Sequence, residues 1–191
     1  MDFVLDLLQG VGIAAAVGIR PWLPFLLVGV LAAANLGIDF DGTEFAFLES
    51  VPFLAVIAVL FVAAILTERR YGEALPTAVY AVLAAALGAL QAAGSLADRD
   101  HSIIPGVILG AAAAVLGFFA ARSLFTRVRR RLDAEAAGAL PVYAEGIALV
   151  GAGLSILFPP LAVVLVAALV WLLAGGRRRE GEKYAGLRVL R

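Results

Sequence analysis

Residues 18–24 read Gly-Ile-Arg-Pro-Trp-Leu-Pro and interrupt an apolar stretch that covers residues 3–37. A helix needs about 20 apolar residues to cross a bilayer, so this stretch is longer than one span. Proline cannot donate a backbone hydrogen bond inside a helix, and it keeps the residue before it out of the helical conformation. The stretch therefore predicts two helices, Phe3–Ile19 and Pro21–Gly37, joined by a sharp break at Arg20, with proline in the first turn of the second helix.

The composition is that of a membrane protein. Hydrophobic residues make up 63% of the 191 residues and charged residues 16%, and the mean hydropathy is +0.99. A soluble domain of this length has too little interior to bury so much apolar side chain. The chain has no cysteine and one histidine, His101, which argues against disulfides, thiolate chemistry and histidine metal clusters. We expect one membrane domain over residues 1–191, with no cofactor and no metal site.

The remaining segments complete the predicted architecture. Residues 51–66, 74–97 and 103–121 predict three clean spans, and residues 138–174 form a second long apolar stretch, which Pro159 and Pro160 interrupt. The predicted fold is an all-α integral membrane protein, a bundle of about seven helices in which three spans accompany two Pro-broken helical hairpins.

Two basic segments flank the terminal hairpin. Residues 122–137 predict a basic amphipathic segment that contacts anionic lipids, or a plain cytoplasmic loop, and residues 175–191 form a basic tail. The lipid-contacting residues are expected to be Arg127, Arg129, Arg130 and Arg131. Because these clusters directly adjoin spans, topology explains them, and nucleic-acid binding has no support.

Two groups of polar residues in the N-terminal half could have a structural or functional role. Asp2, Asp6 and Gln9 share one face of the first helix. Such a polar face should turn toward the protein interior rather than lipid, but we favour a position of the two aspartates among the lipid headgroups near the chain end. Residues 38–50 contain four acidic residues and no basic one. Asp39-Phe-Asp41-Gly42 suggests a cation loop, but the other ligands of a calcium loop are absent, which favours a solvated turn.

The charge distribution predicts the orientation in the membrane. Basic residues crowd the connections after Leu66, Ala121 and Ala174, whereas acidic residues dominate the connection before Val51. By the positive-inside rule the basic connections are cytoplasmic and the acidic one is external. The N-terminus is then external, the C-terminus is cytoplasmic, and the two hairpins enter the membrane from opposite faces.

Matches between the two hairpins suggest an inverted repeat. Gly12-Ile13-Ala14 matches Gly146-Ile147-Ala148, and with one residue inserted Gly18 matches Gly153 and Pro24 matches Pro159. Oppositely oriented helices broken by glycine and proline are the best sequence indication of a transport site near the membrane midplane. The predicted site residues are Arg20, Glu145, Gly18, Pro21, Pro24, Gly153, Pro159 and Pro160.

One stretch also resembles a known family. Residues 12–26 read Gly-Ile-Ala-Ala-Ala-Val-Gly-Ile-Arg-Pro-Trp-Leu-Pro-Phe-Leu, which resembles the N-terminal signature of domain-of-unknown-function family 4126. Residues 182–191 resemble the ending of its actinobacterial-type members, although Glu68 lacks the Pro-Gly turn expected beside it. The resemblance implies a multi-pass protein of the bacterial plasma membrane and brings no activity with it.

Arg20 has two interpretations. Each arm of the first hairpin has about 17 residues, or roughly 25 Å, slightly less than the hydrocarbon thickness of about 30 Å. If the arms span the membrane, which their length weakly favours, Arg20 lies at the cytoplasmic surface and Glu145 extends to the same interface. If the hairpin is re-entrant, Arg20 is buried with Glu145 as its counter-ion. Arg20 and the adjacent helix N-terminus would then bind a phosphate or a phospholipid headgroup.

Three classes of function remain. A transporter, channel or lipid translocase for an anionic solute or a phospholipid headgroup would fit the two broken hairpins and is our leading hypothesis. A non-catalytic accessory or scaffold protein, packed as a homo-oligomer or against a larger membrane protein, would fit the short loops and the scarce intramembrane charge. We expect no enzyme activity and no catalytic residue, because motifs such as G-x-S-x-G and H-E-x-x-H are absent from the sequence.

Overall fold

A computed structural model of the protein describes residues 2–71, 76–97 and 101–185, and all regular structure within them is helical. The fold predicted from the sequence is therefore confirmed. The described residues form seven α-helices and one short 3-10 helix. In chain order they are α1 (Asp2–Ile19), α2 (Trp22–Ala33), the 3-10 helix (Ala46–Glu49), α3 (Val51–Tyr71), α4 (Thr77–Ala97), α5 (Ile104–Arg129), α6 (Ala134–Leu157) and α7 (Leu161–Ala185).

Three of the described helices are long and apolar enough to cross a membrane. They cover Thr77–Ala97, Ile104–Arg129 and Ala136–Leu157. The first two correspond to the predicted spans 74–97 and 103–121, whereas the third is the first arm of the broken stretch 138–174. The predicted span 51–66 corresponds to α3, whose apolar part Val51–Thr67 is shorter.

Some predicted boundaries are wrong. Helix α2 ends at Ala33 rather than Gly37, because the chain turns there and Asn35 and Gly37 adopt positive φ angles of 53° and 80°. The break in the terminal stretch lies at residues 158–160, as predicted.

The basic stretch 122–137 is not a separate segment. Helix α5 continues through Arg129, and Asp133 then begins α6 by accepting a hydrogen bond of 2.8 Å from the backbone N–H of Ala136. Of the predicted basic tail, residues 186–191 lie outside the described residues.

Helix α1 lies at the centre of the bundle. Helices α4, α5, α6 and α7 pack around it, and its middle residues are fully buried. Exposure is 0% for Ile13, Ala14, Ala15, Ala16 and Val17. Small residues permit this close packing, since a Cβ atom added to Gly117 of α5 would collide with the carbonyl oxygen of Ala15. Gly18 lies equally close to Ala114 of α5, so α1 and α5 approach each other through backbone atoms.

The same contacts give the directions of the helices. Gly12 of α1 lies against Ser155 of α6, and Gly151 of α6 lies near Ala16 of α1, so the two helices are antiparallel. The first hairpin has its tip at Arg20, and the α6–α7 hairpin has its tip at the opposite end of the bundle. We call the two ends the His101 end, which holds the start of α1 and of α5, and the Arg127 end, which holds the end of α5.

Replacing Gly117 with alanine should destabilise the bundle, although alanine is the better helix former. The added methyl group would push α5 away from α1, and overpacking of this kind costs about 1–3 kcal/mol. Gly146→Ala is the matched control, because a Cβ atom there would meet no atom within 4 Å. Thermal unfolding in detergent should show a lower Tm for Gly117→Ala and an equal or higher Tm for Gly146→Ala. Equal Tm values for both variants would contradict the close approach.

Candidate functional site at the Arg20 helix break

The break between α1 and α2 follows directly from the local sequence. The backbone N–H of Arg20 still donates to the carbonyl oxygen of Ala16 at 3.2 Å. Pro21 has no N–H to donate, and it takes φ −74° and ψ −36° as the N-cap residue of α2 without supplying a side-chain cap. The N–H groups of Trp22 and Leu23 therefore have no acceptor within their helix. These donors add about half a positive charge beside Arg20.

Arg20 and Glu145 form an ion pair. The distance between Arg20 Nε and Glu145 Oε1 is 3.8 Å, and the two side chains are 22% and 15% exposed. Glu145 stands nine residues after Ala136 and twelve before Leu157 in the apolar part of α6. At 1.5 Å per residue it is about 14 Å from one end and about 18 Å from the other. The pair therefore lies near the middle of a helix that is long enough to span a bilayer.

The tip of the first hairpin also lies beside the middle of α5. Ala114, which packs against Gly18, is ten residues after Ile104 and fifteen before Arg129. Helix α5 thus extends about 22 Å beyond this contact toward the Arg127 end. Helix α2 has 12 residues, or about 18 Å, much less than the hydrocarbon thickness of about 30 Å.

The predicted site residues fall into two groups. The first group lies within four residues of Arg20 and consists of Gly18, Pro21 and the buried Pro24. These residues determine how the chain packs and turns at the break. Residues 153, 159 and 160 lie nearer the His101 end. Gly153 faces Leu27 of α2, and the Pro159–Pro160 turn is about 21 Å from Glu145 along the helix axis.

The two breaks therefore do not meet at one site. The suggested repeat also differs in detail, because Pro24 lies inside α2 whereas Pro159 precedes α7.

The Arg20 site has the chemistry of an anion receptor. A guanidinium group binds two oxygens of a phosphate or carboxylate through parallel hydrogen bonds, and the N-terminus of α2 adds backbone donors. In the structure described here, the carboxylate of Glu145 is the anion that Arg20 holds. An external anion would have to displace it.

The expected position of Asp6 among the headgroups is wrong, and further polar residues are buried that were not predicted to be. Asp6, expected among the lipid headgroups, is only 2% exposed, and Gln9 is 5% exposed and donates from Nε2 to the carbonyl oxygen of Gly37 at 2.7 Å. Gln91 and Ser95 on α4 are equally buried. The sequence feature that could have predicted the burial of Gln91 is its position as a lone amide in an alanine-rich span.

Three carboxylates meet in the loop before α3. Suitable oxygen atoms of Asp39, Asp41 and Glu49 all lie within 4.8 Å of one another, an arrangement that could hold a cation. Asp39 Oδ1 accepts from the N–H of Asp41 at 2.8 Å, and Glu49 Oε2 accepts from the N–H of Phe40 at 3.2 Å. Burial raises the pKa of Glu49 above its usual value, and the nearby carboxylates of Asp41 and Asp39 raise it further.

Comparison with protein families gives one result. A family model described as Domain of unknown function (DUF4126) matches residues 7–179. The chain belongs to this family. The matched region contains the first break, the ion pair and the second break, so the candidate site lies within the DUF4126 domain. The resemblance noted at residues 182–191 lies beyond the matched region. Comparisons with curated proteins and with solved structures gave no match.

The raised pKa of Glu49 predicts a pH dependence of stability. Above its unfolded-state value of 4.5, the folded protein binds more protons at Glu49 than the unfolded chain does. Its stability should therefore fall as the pH rises through the interval between the unfolded-state and folded-state pKa values. Glu49→Gln keeps an acceptor for the Phe40 N–H and removes the charge, so it should raise Tm at neutral pH and flatten this part of the profile.

Glu44→Gln is the control for that measurement, because Glu44 is an exposed acidic residue of the same loop. Thermal unfolding in detergent between about pH 4 and pH 7 covers the relevant range. A Glu49→Gln profile parallel to that of the wild type would show that the carboxylate cluster does not affect stability.

Proposed function

We propose that this protein is a membrane transporter for an anionic solute or an anionic phospholipid headgroup, and that Arg20 binds the anion. The observation that carries the proposal is the position of the Arg20–Glu145 pair. It lies about 14 Å from the nearer end of the apolar part of α6, at a helix break whose second arm has 12 residues.

The proposal includes a re-entrant first hairpin. Helix α2 is too short to span the hydrocarbon layer, and α5 continues about 22 Å past its contact with Gly18. Both observations favour a tip that ends inside the membrane over one that reaches the surface. An unpaired arginine at this depth has a large unfavourable free energy. The ion pair with Glu145 reduces it.

The substrate class follows from the groups at the tip. Arg20 and the free N–H groups at the start of α2 both favour negative charge. Glu145 holds Arg20 in the absence of substrate, and an arriving anion exchanges with it. Such an exchange avoids leaving the guanidinium without a counter-ion at any stage, since a lone buried charge costs several kcal/mol.

The proposed orientation places the Arg127 end in the cytoplasm of a bacterium and the N-terminus outside. The described basic residues of α5 and the following turn lie at the Arg127 end, and the acidic residues of the 38–50 segment lie toward the His101 end. This segregation agrees with the positive-inside rule. Arg129, Arg130 and Arg131 are then available to anionic lipids, while Arg127 also donates to the carbonyl oxygen of Leu172 at 3.3 Å.

A scaffold role is the second candidate, and helix α3 favours it. Among the described elements α3 packs mainly against α2 and the 3-10 helix. Its other side is apolar and open, with Val59, Val62 and Leu66 exposed by 68%, 54% and 61%. Such a face suits lipid, a second copy or another membrane protein.

Cysteine accessibility tests the re-entrant hairpin, because the chain has no native cysteine. Arg20→Cys and Leu23→Cys should resist a membrane-impermeant thiol reagent added from the cytoplasmic side, and Leu23→Cys keeps the ion pair intact. Arg130→Cys should react from the cytoplasmic side and Asp41→Cys from the outside, with Pro159→Cys reporting the second break. Ready labelling at positions 20 and 23 from the cytoplasm alone would mean a spanning hairpin and a topogenic arginine.

Transport itself is tested in vesicles that contain the purified protein. The probes are inorganic phosphate and a fluorescent phosphatidylglycerol, which separate a free anion from a lipid headgroup. Arg20→Gln should lower the apparent affinity about 10- to 100-fold, as expected from losing a charged hydrogen bond worth about 1.5–3 kcal/mol. Glu145→Gln should increase the affinity by removing the competing carboxylate. Arg130→Gln is the control, and no flux of either probe above protein-free vesicles would contradict the proposal.

A further inference from the structure

Helices α1 and α4 bury polar side chains where they cross near the His101 end. A Cβ atom added to Gly10 of α1 would lie 2.9 Å from the Cα of Ala92 of α4, so the helices touch there. The buried polar residues within a turn of this contact are Asp6, Gln9, Gln91 and Ser95. Because α1 and α4 would otherwise meet through glycine and alanine, this polar group needs a physical explanation.

Gln91 shows that this polar group is incomplete. Its side chain is fully buried, and neither its amide nitrogen nor its amide oxygen has a hydrogen-bond partner in the part of the chain that the structure describes. An amide left in this state is destabilising, because it has lost its hydrogen bonds to water without gaining others. Buried polar groups without a partner in the protein usually bind ordered water.

His101 links the buried carboxylate to the outside of the bundle. Its Nε2 atom is 3.5 Å from Asp6 Oδ2, and its side chain is 31% exposed whereas that of Asp6 is 3% exposed. The backbone N–H of His101 donates to the carbonyl oxygen of Leu96 at 3.0 Å. The ring of Phe3 packs edge-on against the imidazole with a centroid distance of 5.2 Å. The imidazole is therefore held between Asp6 and the surface.

We propose that Asp6 is a proton-binding site that exchanges its proton through His101. The Asp6 carboxylic acid gives its proton to Nε2 of the neutral imidazole, which leaves a carboxylate and an imidazolium in contact. The imidazolium then releases the proton on Nδ1 to water at the His101 end.

In the proposed transporter, the proton bound at Asp6 could be the coupling ion. This part of the inference rests on the proposed function. Asp6 lies in α1 and Arg20 directly follows the end of that helix, fourteen residues further along the chain, or about 21 Å along the helix axis. A proton on Asp6 removes one negative charge from the interior of the bundle, at the opposite end of α1 from Arg20.

Other titratable groups near the site are few. Asp98, Arg99 and Asp100 precede His101 in the sequence and lie outside the described residues, as does the side chain of Asp2. Asp39, Asp41 and Glu49 belong to the neighbouring 38–50 segment. The parts of α4, α5, α6 and α7 near the His101 end contain no Asp, Glu, His, Lys or Arg.

Infrared spectroscopy of the purified protein tests the proton site without any transport assay. The wild type should show a C=O band of a buried carboxylic acid that decreases as the pH is raised from about 5 to 8. Asp6→Asn should remove this band. Asp133→Asn should keep it, because Asp133 is an exposed helix cap that asparagine replaces well. His101→Phe should slow the deuterium exchange of the band at least tenfold, which a purely structural histidine would not do.

The outcomes separate the two proposals. A wild-type spectrum identical to that of Asp6→Asn over this pH range would mean that Asp6 stays ionised in a structural ion pair, and would overturn the proton site. Loss of the band on adding sodium at constant pH would also overturn it, because the carboxylate would then be a sodium site. A titrating Asp6 band without flux of either anion would support the proton site and contradict the transport function.

Discussion

The enclosure of helix α1 by other helices is the constraint on which the rest of the structure depends. The helix carries buried polar residues near its start and a charged residue at its end, and neither can face hydrocarbon without a large cost. Surrounding helices must therefore approach it closely along its whole length. Gly117 and Ala114 of α5 and Ala92 of α4 make this possible because they place backbone, rather than large side chains, against α1. The many small residues of the chain thus allow its polar residues to be buried between helices.

Much of the fold follows from local sequence rules. Proline acts on its own backbone and on the residue before it, so the breaks at Pro21 and at Pro159–Pro160 are readable without any tertiary information. The number of helices follows from the lengths of the apolar stretches. The pairing of Arg20 with Glu145 could also be anticipated, because two isolated charges of opposite sign in apolar surroundings have strong reason to meet.

The remaining features depend on packing that a sequence pattern does not record. Apolar residues continue past Ala33, yet the chain leaves the helix there and takes a positive φ at Asn35. Arginines do not end a helix, so α5 runs on through the basic stretch to Arg129. The burial of Asp6 depends on α4 and on the 101–103 loop, which lie far away in the sequence. The polar face of α1 is visible in the sequence, but the choice between the bundle interior and the headgroups depends on this packing.

If the proposed transporter binds its anion at the Arg20–Glu145 pair, the position of the pair along α6 also determines how strongly the membrane voltage acts on that anion. Measured along α6, the pair lies about nine residues from one end of the apolar part and twelve from the other. An ion that reaches it from the Arg127 end therefore crosses about four tenths of the electric field. Since a full crossing is worth about 2.3 kcal/mol per elementary charge at 100 mV, occupancy by a monovalent anion would change by about 1 kcal/mol at that voltage. A site at the surface would not sense the potential at all.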